Sequence, residues 1–304
     1  MEAVFVKSSS FLLVILLGVI FRSAGIFGEK DHRVLSNIVL KITLPVAVIT
    51  STANMAWQPT LLLIPVLSLM ANWVMIGVGA AMARGKTNRE RVLYMVNCPS
   101  WNIGAFALPF LQSFLGAGAV MAGCLFDVGN SLMCTGGTYA LVSVVCGGEK
   151  PDLKSAGKKL LSSVPFVTYV TMLLLVIYGV TVPQTLLDLI SPIAVANPFV
   201  AMLMVGAMFR VQAKPAYLWT AARILGVRLV LALVLSVGCY YLAPFSLEVR
   251  QGLAVMVFAP ISVIAPAFTE RCGGDEGLAS FINSLSILLG VVGMLAAILV
   301  LGVL

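Results

Sequence analysis

A polar, helix-breaking segment interrupts an apolar stretch of the chain at Asn102-Ile-Gly-Ala-Phe-Ala-Leu-Pro109. A second interruption, Pro260-Ile-Ser-Val-Ile-Ala-Pro266, follows about half a chain length later in a stretch of similar character. In lipid, an unpaired backbone group costs several kcal/mol unless protein or a water-filled cavity satisfies it. Two such breaks at corresponding places in two halves of a chain are typical of a binding site near the bilayer midplane. We therefore expect the two segments to line one site.

Each break supplies two kinds of binding group. The N-terminal end of a half-helix, with its unpaired N–H groups, suits a carboxylate, whereas the carbonyl end suits a cation or a hydrogen-bond donor. Gly104 permits backbone angles that are closed to other residues, and Pro109 removes a backbone donor. An ordinary proline kink in a structural helix is the alternative for either break taken alone. The candidate substrate-binding residues are Asn102, Gly104, Pro109, Pro260, Ile264 and Pro266.

Further polar residues are expected at the same depth as the breaks. A helix rises 1.5 Å per residue, so a position about ten residues into a span lies near the midplane. By this count Asn102, Pro260, Asp127 and Asn283 all fall near the middle of their spans. Asn130 lies one helical turn after Asp127. We expect Asp127, Asn130 and Asn283 to form a polar midplane group.

Asp127 is the one carboxylate deep inside a predicted span. A charge there costs about 2.5–3.5 kcal/mol on insertion scales, so a proton relay or an ion-pairing role is the default hypothesis. The coupling ion would be H⁺ or Na⁺. The alternative is a helix-packing group that pairs with Asn130 or with a freed backbone amide.

Three other residues are candidates for lining the cavity. Arg228 lies deep in an apolar stretch, where it would attract an anionic substrate, pair with Asp127 or serve a structural role; we favour the last. Pro45 predicts a bend in the second span, and Asn197, followed by Pro198, predicts its counterpart in the seventh. Ordinary kinks explain these two positions equally well.

The composition is that of a polytopic membrane protein. Of the 304 residues, 60% are hydrophobic and only 10% are charged, against about 25% charged residues in a soluble domain. The net charge of +7 is explained by basic loops beside membrane spans rather than by nucleic-acid binding. The ten predicted spans are 4–22, 35–56, 60–83, 92–115, 118–146, 162–181, 185–209, 217–242, 248–270 and 276–302.

The loops predict both an orientation and an internal repeat. Basic residues gather in alternate loops, which should be cytoplasmic, so both termini of this cell-membrane protein should lie outside. Residues 147–161 form a polar central loop, with five spans in 1–146 and five in 162–304. Because five is odd, the second half must run in the opposite sense. The expected fold is all-α, with ten transmembrane helices in two inverted repeats whose broken helices four and nine cross at the midplane.

Catalytic and metal chemistry have little support. The six cysteines show no paired spacing, the single histidine, His32, lies in a charged loop, and no nucleotide-binding loop motif appears. We therefore expect no catalytic residues, no metal site and no cofactor. An intramembrane enzyme would need paired carboxylates or an activated nucleophile, and only Asp127 is available at depth.

Several segments resemble the auxin efflux carrier family. The run from Asn102 to Pro109 is similar to that family's Asn-x-Gly-x-x-x-x-Pro crossover. Further similarities are Leu35-Ser-Asn-Ile-Val-Leu-Lys-Ile-Thr-Leu-Pro45, Val205-Gly-Ala, and Gly273-Gly-Asp-Glu-Gly-Leu-Ala-Ser280. The resemblance implies a scaffold domain and a transport domain, each drawn from both repeats, with an organic-anion substrate at the crossing.

By the same resemblance, Asn102 is the leading candidate ligand, and Pro109 and Pro260 shape the crossover. One departure concerns specificity: many relatives have an asparagine where this chain has Ile264. Auxin is therefore a poor candidate, and similar bacterial members suggest dicarboxylates or related acids. The expected partners are a small organic anion, the lipid bilayer and a second copy of the chain in a homodimer. The predicted function is secondary transport by alternating access; a membrane-embedded sensor that binds without transporting is the alternative.

Overall fold

The computed structural model describes residues 2–28, 30–53, 55–146, 152–209 and 214–301. These residues form helices and connecting turns and contain no β-strand. The α-helices are α1 (Glu2–Ser23), α2 (His32–Ile38), α3 (Leu44–Thr52), α4 (Leu63–Met82), α5 (Asn88–Asn97), α6 (Leu108–Phe114), α7 (Ala117–Leu132), α8 (Thr138–Cys146), α9 (Leu153–Leu161), α10 (Val164–Ile177), α11 (Gln184–Met208), α12 (Pro215–Tyr241), α13 (Leu247–Met256), α14 (Ala265–Arg271) and α15 (Glu276–Val300). Short π-helical turns at Val39–Thr43, Ile103–Ala107 and Met133–Gly137 and a 3₁₀ turn at Pro59–Leu62 join some of them.

Seven stretches of the described chain are long and apolar enough to cross a membrane, which makes this a multi-pass membrane protein. They are Val6–Ser23, His32–Thr52, Pro59–Met82, Ala117–Cys146, Gln184–Met208, Pro215–Tyr241 and Glu276–Val300. The predicted fourth, sixth and ninth spans are not among them. The fourth and ninth are divided into half-helices, and α10 passes the same test only together with α9, to which it is bent by 65°. The ten-span count and the inverted repeat stay predictions.

The central loop contains more structure than its polarity suggested. Residues 153–161 are not a loop but helix α9, whereas 147–151 lie outside the described residues. The Asp152 side chain accepts a hydrogen bond from the backbone N–H of Ser155 (3.0 Å), which caps the helix N-terminus. Lys158 and Lys159 lie in the last turn, where the helix dipole favours positive charge.

Helix α7 lies at the centre of the packed structure. It contacts α3, α4, α6, α10 and α13. In the stretch Ala117–Cys146, which begins with α7, 72% of the most apolar 18 residues are buried inside the structure. The corresponding share for α1 is 17%. Because α7 carries both Asp127 and Asn130, its central position buries these two side chains among neighbouring helices.

Helices α1 and α11 pack closely through small residues. A Cβ atom added at Gly206 would overlap the carbonyl oxygen of Ile15, and one added at Gly18 would overlap the carbonyl oxygen of Leu203. Membrane helices commonly use such small residues to bring their backbones together. Gly206 belongs to the Val205-Gly-Ala segment singled out above, so the structure supplies a packing reason for that glycine.

We expect Gly206→Val to destabilise the protein by about 1–3 kcal/mol, because overpacking forces the two backbones apart. The measurement is the unfolding midpoint of the purified protein in detergent. Gly226→Val in α12 is the matched control, since a Cβ at Gly226 has open space around it. Equal midpoints for the two variants would contradict the close α1–α11 contact.

Candidate substrate site

The two chain breaks contact each other directly. Helix α5 ends at Asn97, and residues 98–102 are non-helical before the π-turn Ile103–Ala107 begins. Helix α13 ends at Met256, and residues 257–264 are non-helical before α14. The backbone N–H of Asn102 donates a hydrogen bond to the carbonyl oxygen of Pro260 (2.9 Å). The two interrupted segments are therefore joined by a backbone hydrogen bond.

Of the three prolines predicted to shape the site, Pro260 lies inside a break, whereas Pro109 and Pro266 lie after the breaks. Pro109 and Pro266 each occupy the first turn of the helix that follows, α6 and α14 respectively. In α14 a proline is tolerated because its missing N–H would have no partner within the helix. Pro109 instead follows directly on the π-turn Ile103–Ala107, so it removes a donor from a helical segment that continues into α6. The first break therefore covers residues 98–102 and ends where the predicted segment, Asn102 to Pro109, begins. Asn102 is the residue at the start of the π-turn that follows.

Arg228 connects the carbonyl ends of both breaks. Its guanidinium donates hydrogen bonds to the carbonyl oxygens of Cys98, Pro99 (3.0 Å) and Ala259 (3.3 Å). These carbonyls follow α5 and α13, where the last groups of each helix have no partner within it and carry partial negative charge. Arg228 is buried. This contact is the structural role among the three that were proposed for Arg228. The ion pair found among the described residues joins Lys86 to Glu90, not Arg228 to Asp127.

Trp101 is a site residue that the sequence analysis missed. Its indole N–H donates to the carbonyl oxygen of Val257 (2.9 Å), and its ring lies 5.7 Å from the guanidinium carbon of Arg228. Its backbone N–H and carbonyl bond to the side chain of Asn130, at 3.1 and 2.8 Å. A tryptophan directly before Asn102, in the middle of an apolar span, was the available signal.

The Asp127 carboxylate is held by its own helix. The Asn130 Nδ2 group donates to Asp127 Oδ1 (2.9 Å) while also bonding to the first break. Gly104 leaves room for this carboxylate, since an added Cβ would lie 3.3 Å from Asp127 Oδ2 and 3.2 Å from the Tyr169 hydroxyl. Asp127 is therefore placed against the backbone of the helix that begins after Asn102.

Helix α15 holds the second break in a comparable way. Asn283 Nδ2 donates to the carbonyl oxygens of Ile261 (3.2 Å) and Ser262 (3.1 Å), and Ser286 Oγ accepts from the Ile261 N–H (3.1 Å). Asn283 and Ser286 are three residues apart, as are Asp127 and Asn130 on α7. The second break is thus bonded by two polar side chains of α15, and the first by Asn130 of α7, which also bonds to Asp127.

Two asparagines outside the predicted group also hold the breaks: one bonds to the first break, and the other joins the helices beside the two breaks. The backbone N–H of Ser100, which has a left-handed φ of 66°, donates to Asn72 Oδ1 (2.8 Å). Asn97 Nδ2 donates to Thr269 Oγ1 (3.1 Å), which connects α5 to α14. Neither asparagine was singled out from the sequence, because a lone amide in an apolar helix does not reveal which backbone group it will meet.

A cavity of about 200 Å³ lies beside the first break. Four predicted residues line it: Asn102, Gly104, Asp127 and Asn130. One water needs about 10–15 Å³ of such space, so the cavity is large enough for several waters or for a small acid. Among the described residues, no three His, Cys, Asp or Glu side chains are grouped as metal ligands would be.

The other predicted site residues lie elsewhere. Pro260 and Arg228 line a separate, small cavity, whereas Pro266 and Asn283 line a third one. Pro109, Ile264, Pro45 and Asn197 are not among the lining residues of the cavity at Asn102. Pro109 is buried in α6, Ile264 is exposed, and Pro45 follows the π-turn Val39–Thr43.

Asn197 belongs to a buried polar network away from the cavity. It accepts a hydrogen bond from Thr43 Oγ1 (2.9 Å) and donates to Gln112 Oε1 (3.1 Å). Gln112 in turn donates to the carbonyl oxygen of Ala194 (3.1 Å). This network joins α6, α11 and the π-turn before α3, so Asn197 has a helix-packing role here.

Comparison with known proteins places the first half of the chain among transport proteins. Residues 4–148 match the family described as "Membrane transport protein". The chain is also similar to an uncharacterized transporter of Methanothermobacter thermautotrophicus, with 28% identity over 144 residues. That similarity covers 46% of this chain and 47% of the archaeal protein, so it spans about half the length of the relative.

We expect Arg228→Met to lower the free energy of unfolding by about 3 kcal/mol or more, because three buried carbonyl oxygens lose their donor. Arg228→Lys should fall between this variant and wild type, since an ammonium lacks the planar fork that reaches both breaks. Thermal unfolding in detergent is the measurement. Arg223→Met, at an exposed position of the same helix, is the control. A similar loss in both methionine variants would show that the carbonyl contacts contribute little.

Proposed function

We propose that this protein, whose residues 4–148 match a family of membrane transport proteins and whose sequence resembles the auxin efflux carriers, is a secondary carrier for a small organic anion. The observation that carries the proposal is the hydrogen-bonded contact between two chain breaks beside a polar cavity that contains Asp127. Irregular backbone at membrane depth is tolerated where it lines a cavity. Broken helices of this kind commonly form the substrate and ion sites of secondary transporters.

A carboxylate is the substrate group that the first break suits best. Ile103, Gly104 and Ala105 line the cavity and form the start of the helical segment that continues into α6. The first N–H groups of a helix lack partners within it, and the positive end of the helix dipole attracts anions. Asn102, at the head of this segment, supplies an amide that can bind a second substrate oxygen. The substrate class is therefore a small carboxylic acid.

Asp127 is the proposed site of ion coupling. It is the carboxylate among the described residues that line this cavity. Its Oδ1 atom accepts from Asn130, while Oδ2 lies near Gly104, in the wall that a substrate would contact. Binding of a proton or of Na⁺ at Asp127 would reduce the repulsion between this carboxylate and an anionic substrate. Co-transport of substrate and ion follows from that reduction.

The proposed architecture is two inverted five-span repeats, 1–146 and 162–304, in the cell membrane with both termini outside. The arrangement of polar side chains supports it. Asp127 and Asn130 lie three residues apart on α7, after the first break, and Asn283 and Ser286 lie three residues apart on α15, after the second. Alternating access would then be the movement of a transport domain containing both breaks against a scaffold domain.

A ligand screen followed by counterflow tests this function. Purified protein is heated with a series of mono-, di- and tricarboxylic acids at two pH values, with and without Na⁺. The acid that raises the unfolding midpoint is then used, radiolabelled, in proteoliposomes preloaded with the unlabelled acid. We expect saturable exchange. Stabilisation without exchange would instead favour a membrane-embedded sensor.

We expect Asn102→Ala to abolish the midpoint shift caused by the selected acid, because the variant loses the amide at the head of the substrate-binding segment. The measurement is the same thermal titration, which reports binding apart from transport. Asn37→Ala changes an exposed asparagine of α2 and should leave the shift intact. Retention of the full shift in Asn102→Ala would remove Asn102 from the site.

We expect Asp127→Asn to make exchange independent of pH or of Na⁺, depending on which ion is coupled, because the amide cannot bind a proton or replace the carboxylate charge. The measurement is the initial rate of exchange across a pH series, with and without Na⁺. Asp188→Asn, at an exposed position of α11, is the matched control. A wild-type rate and an unchanged pH and Na⁺ profile in Asp127→Asn would exclude the coupling role.

A further inference from the structure

A second and larger cavity lies beside the other break. It has a volume of about 440 Å³ and is lined by Arg22, Lys30, His32 and Arg33 on one side and by residues of α14 and α15 on the other. We call it the basic vestibule. Its walls come from the ends of α1 and α11, Lys30 and the start of α2, the second break, the start of α14 and the first turns of α15.

The vestibule carries an excess of positive charge. Arg22, Lys30 and Arg33 contribute three formal positive charges, and Glu276 contributes one negative charge. Arg22 also donates to the carbonyl oxygen of Ala207, so its side chain is tied to the end of α11. Lys30 and Arg33 are exposed. Clefts lined by one sign of charge concentrate ions of the opposite sign, which here are anions.

The vestibule extends from a charged surface to the second break. Glu276 lies at the start of α15, and Asn283 lies seven residues further on, about 10 Å along the helix. Asn283 Nδ2 is bonded to the carbonyls of Ile261 and Ser262, so this end of the cavity is the break itself. Ser280 and Ser284, on the same helix, add hydroxyl groups to the wall. The lining therefore combines basic side chains with neutral hydrogen-bonding groups.

Two side chains are shared by the vestibule and the cavity at Asn102. Met208, at the end of α11, and Val263, in the second break, line both. The two spaces therefore adjoin each other at a methionine and a valine. Methionine is unbranched and adapts its shape readily, so a small movement of this pair would join the cavities.

We propose that the basic vestibule is a separate anion-binding site, which captures a carboxylate through Lys30, Arg33 and Arg22 before the carboxylate passes Met208 and Val263. The identification of its occupant as the transported acid rests on the proposed function. The site itself rests on the charge and shape of the cavity. Its ligand class is a small carboxylate, and its role is to raise the local concentration of that anion next to the cavity at Asn102.

The charge of the vestibule can be measured with a reporter cysteine. Ser280→Cys in purified protein is reacted with anionic sulfonatoethyl methanethiosulfonate and with the cationic trimethylammonium analogue, after subtraction of the wild-type rate. We expect the anionic-to-cationic rate ratio to exceed that of Thr181→Cys, in an exposed loop without charged neighbours in sequence, by about tenfold at low salt. Added salt should reduce the difference, because it screens exposed charges.

Paired charge variants identify the residues responsible. Lys30→Gln with Arg33→Gln should bring the Ser280→Cys ratio close to that of Thr181→Cys. The matched pair, Arg84→Gln with Arg89→Gln, removes two exposed charges from the loop before α5 and should leave the ratio unchanged. Equal ratios at the two reporters, or a ratio that does not respond to the Lys30 and Arg33 changes, would overturn the proposal.

Binding is distinguished from a general positive field by protection. Succinate should slow the reaction of Ser280→Cys with uncharged methyl methanethiosulfonate by about twofold at half-saturation, whereas chloride at equal ionic strength should not. No difference between succinate and chloride would also overturn the proposal. Neither measurement requires transport. A failed counterflow experiment would therefore count against the carrier function alone, and a failed protection experiment against the vestibule alone.

Discussion

The hydrogen bonds between Arg228 and the carbonyl ends of two helices are the interaction on which the rest of the site depends. Helices α5 and α13 both end inside the packed structure, and their last carbonyl groups have no partner of their own. A single guanidinium, which presents five donors in a planar fork, reaches the carbonyl oxygens of Cys98, Pro99 and Ala259, in both chain segments at once.

 The positive charge of Arg228 is stabilised by the negative ends of two helix dipoles. The same hydrogen bonds keep the two breaks side by side.

The remaining polar groups of the breaks are satisfied by amide and hydroxyl side chains. In a membrane, where water is scarce, each backbone N–H and C=O group must find a partner within the protein. Asn72 and Asn130 bond to the first break, and Asn283 and Ser286 bond to the second. Amides suit this task because each has both donors and an acceptor. Non-helical backbone can therefore persist at depth without the cost of unpaired groups.

The two breaks are held alike but open onto different surroundings. The first lines the cavity that contains Asp127, whereas the second contributes Ser262 and Val263 to that cavity and also lines the basic vestibule. Ile264 has no polar atom in its side chain, so the second break offers fewer ligands than the first. This difference in chemistry is consistent with one break binding the substrate and the other receiving it from the charged surface.

The sequence by itself determined the membrane class, the family resemblance and the residues at which helices could not continue. Apolar length, charge placement and proline position are local properties, and the family match over residues 4–148 confirms the resemblance. The polar residues around the first break could also be found, because Asn102, Gly104, Asp127 and Asn130 are exceptional in apolar spans. The helical character of residues 153–161 was missed, because a polar composition with several lysines describes a loop and a surface helix equally well.

Only the tertiary structure decided which of these groups meet. Hydrogen bonds such as Asn102 to Pro260 and Trp101 to Val257 join residues more than 150 positions apart, and no local pattern specifies such a pair. The role of Arg228 was open for the same reason, since its partners are backbone carbonyls, which every residue has. The basic vestibule likewise combines the end of α1 with the start of α15. Residue types state what chemistry is available, but the packing of helices decides which donors reach which acceptors.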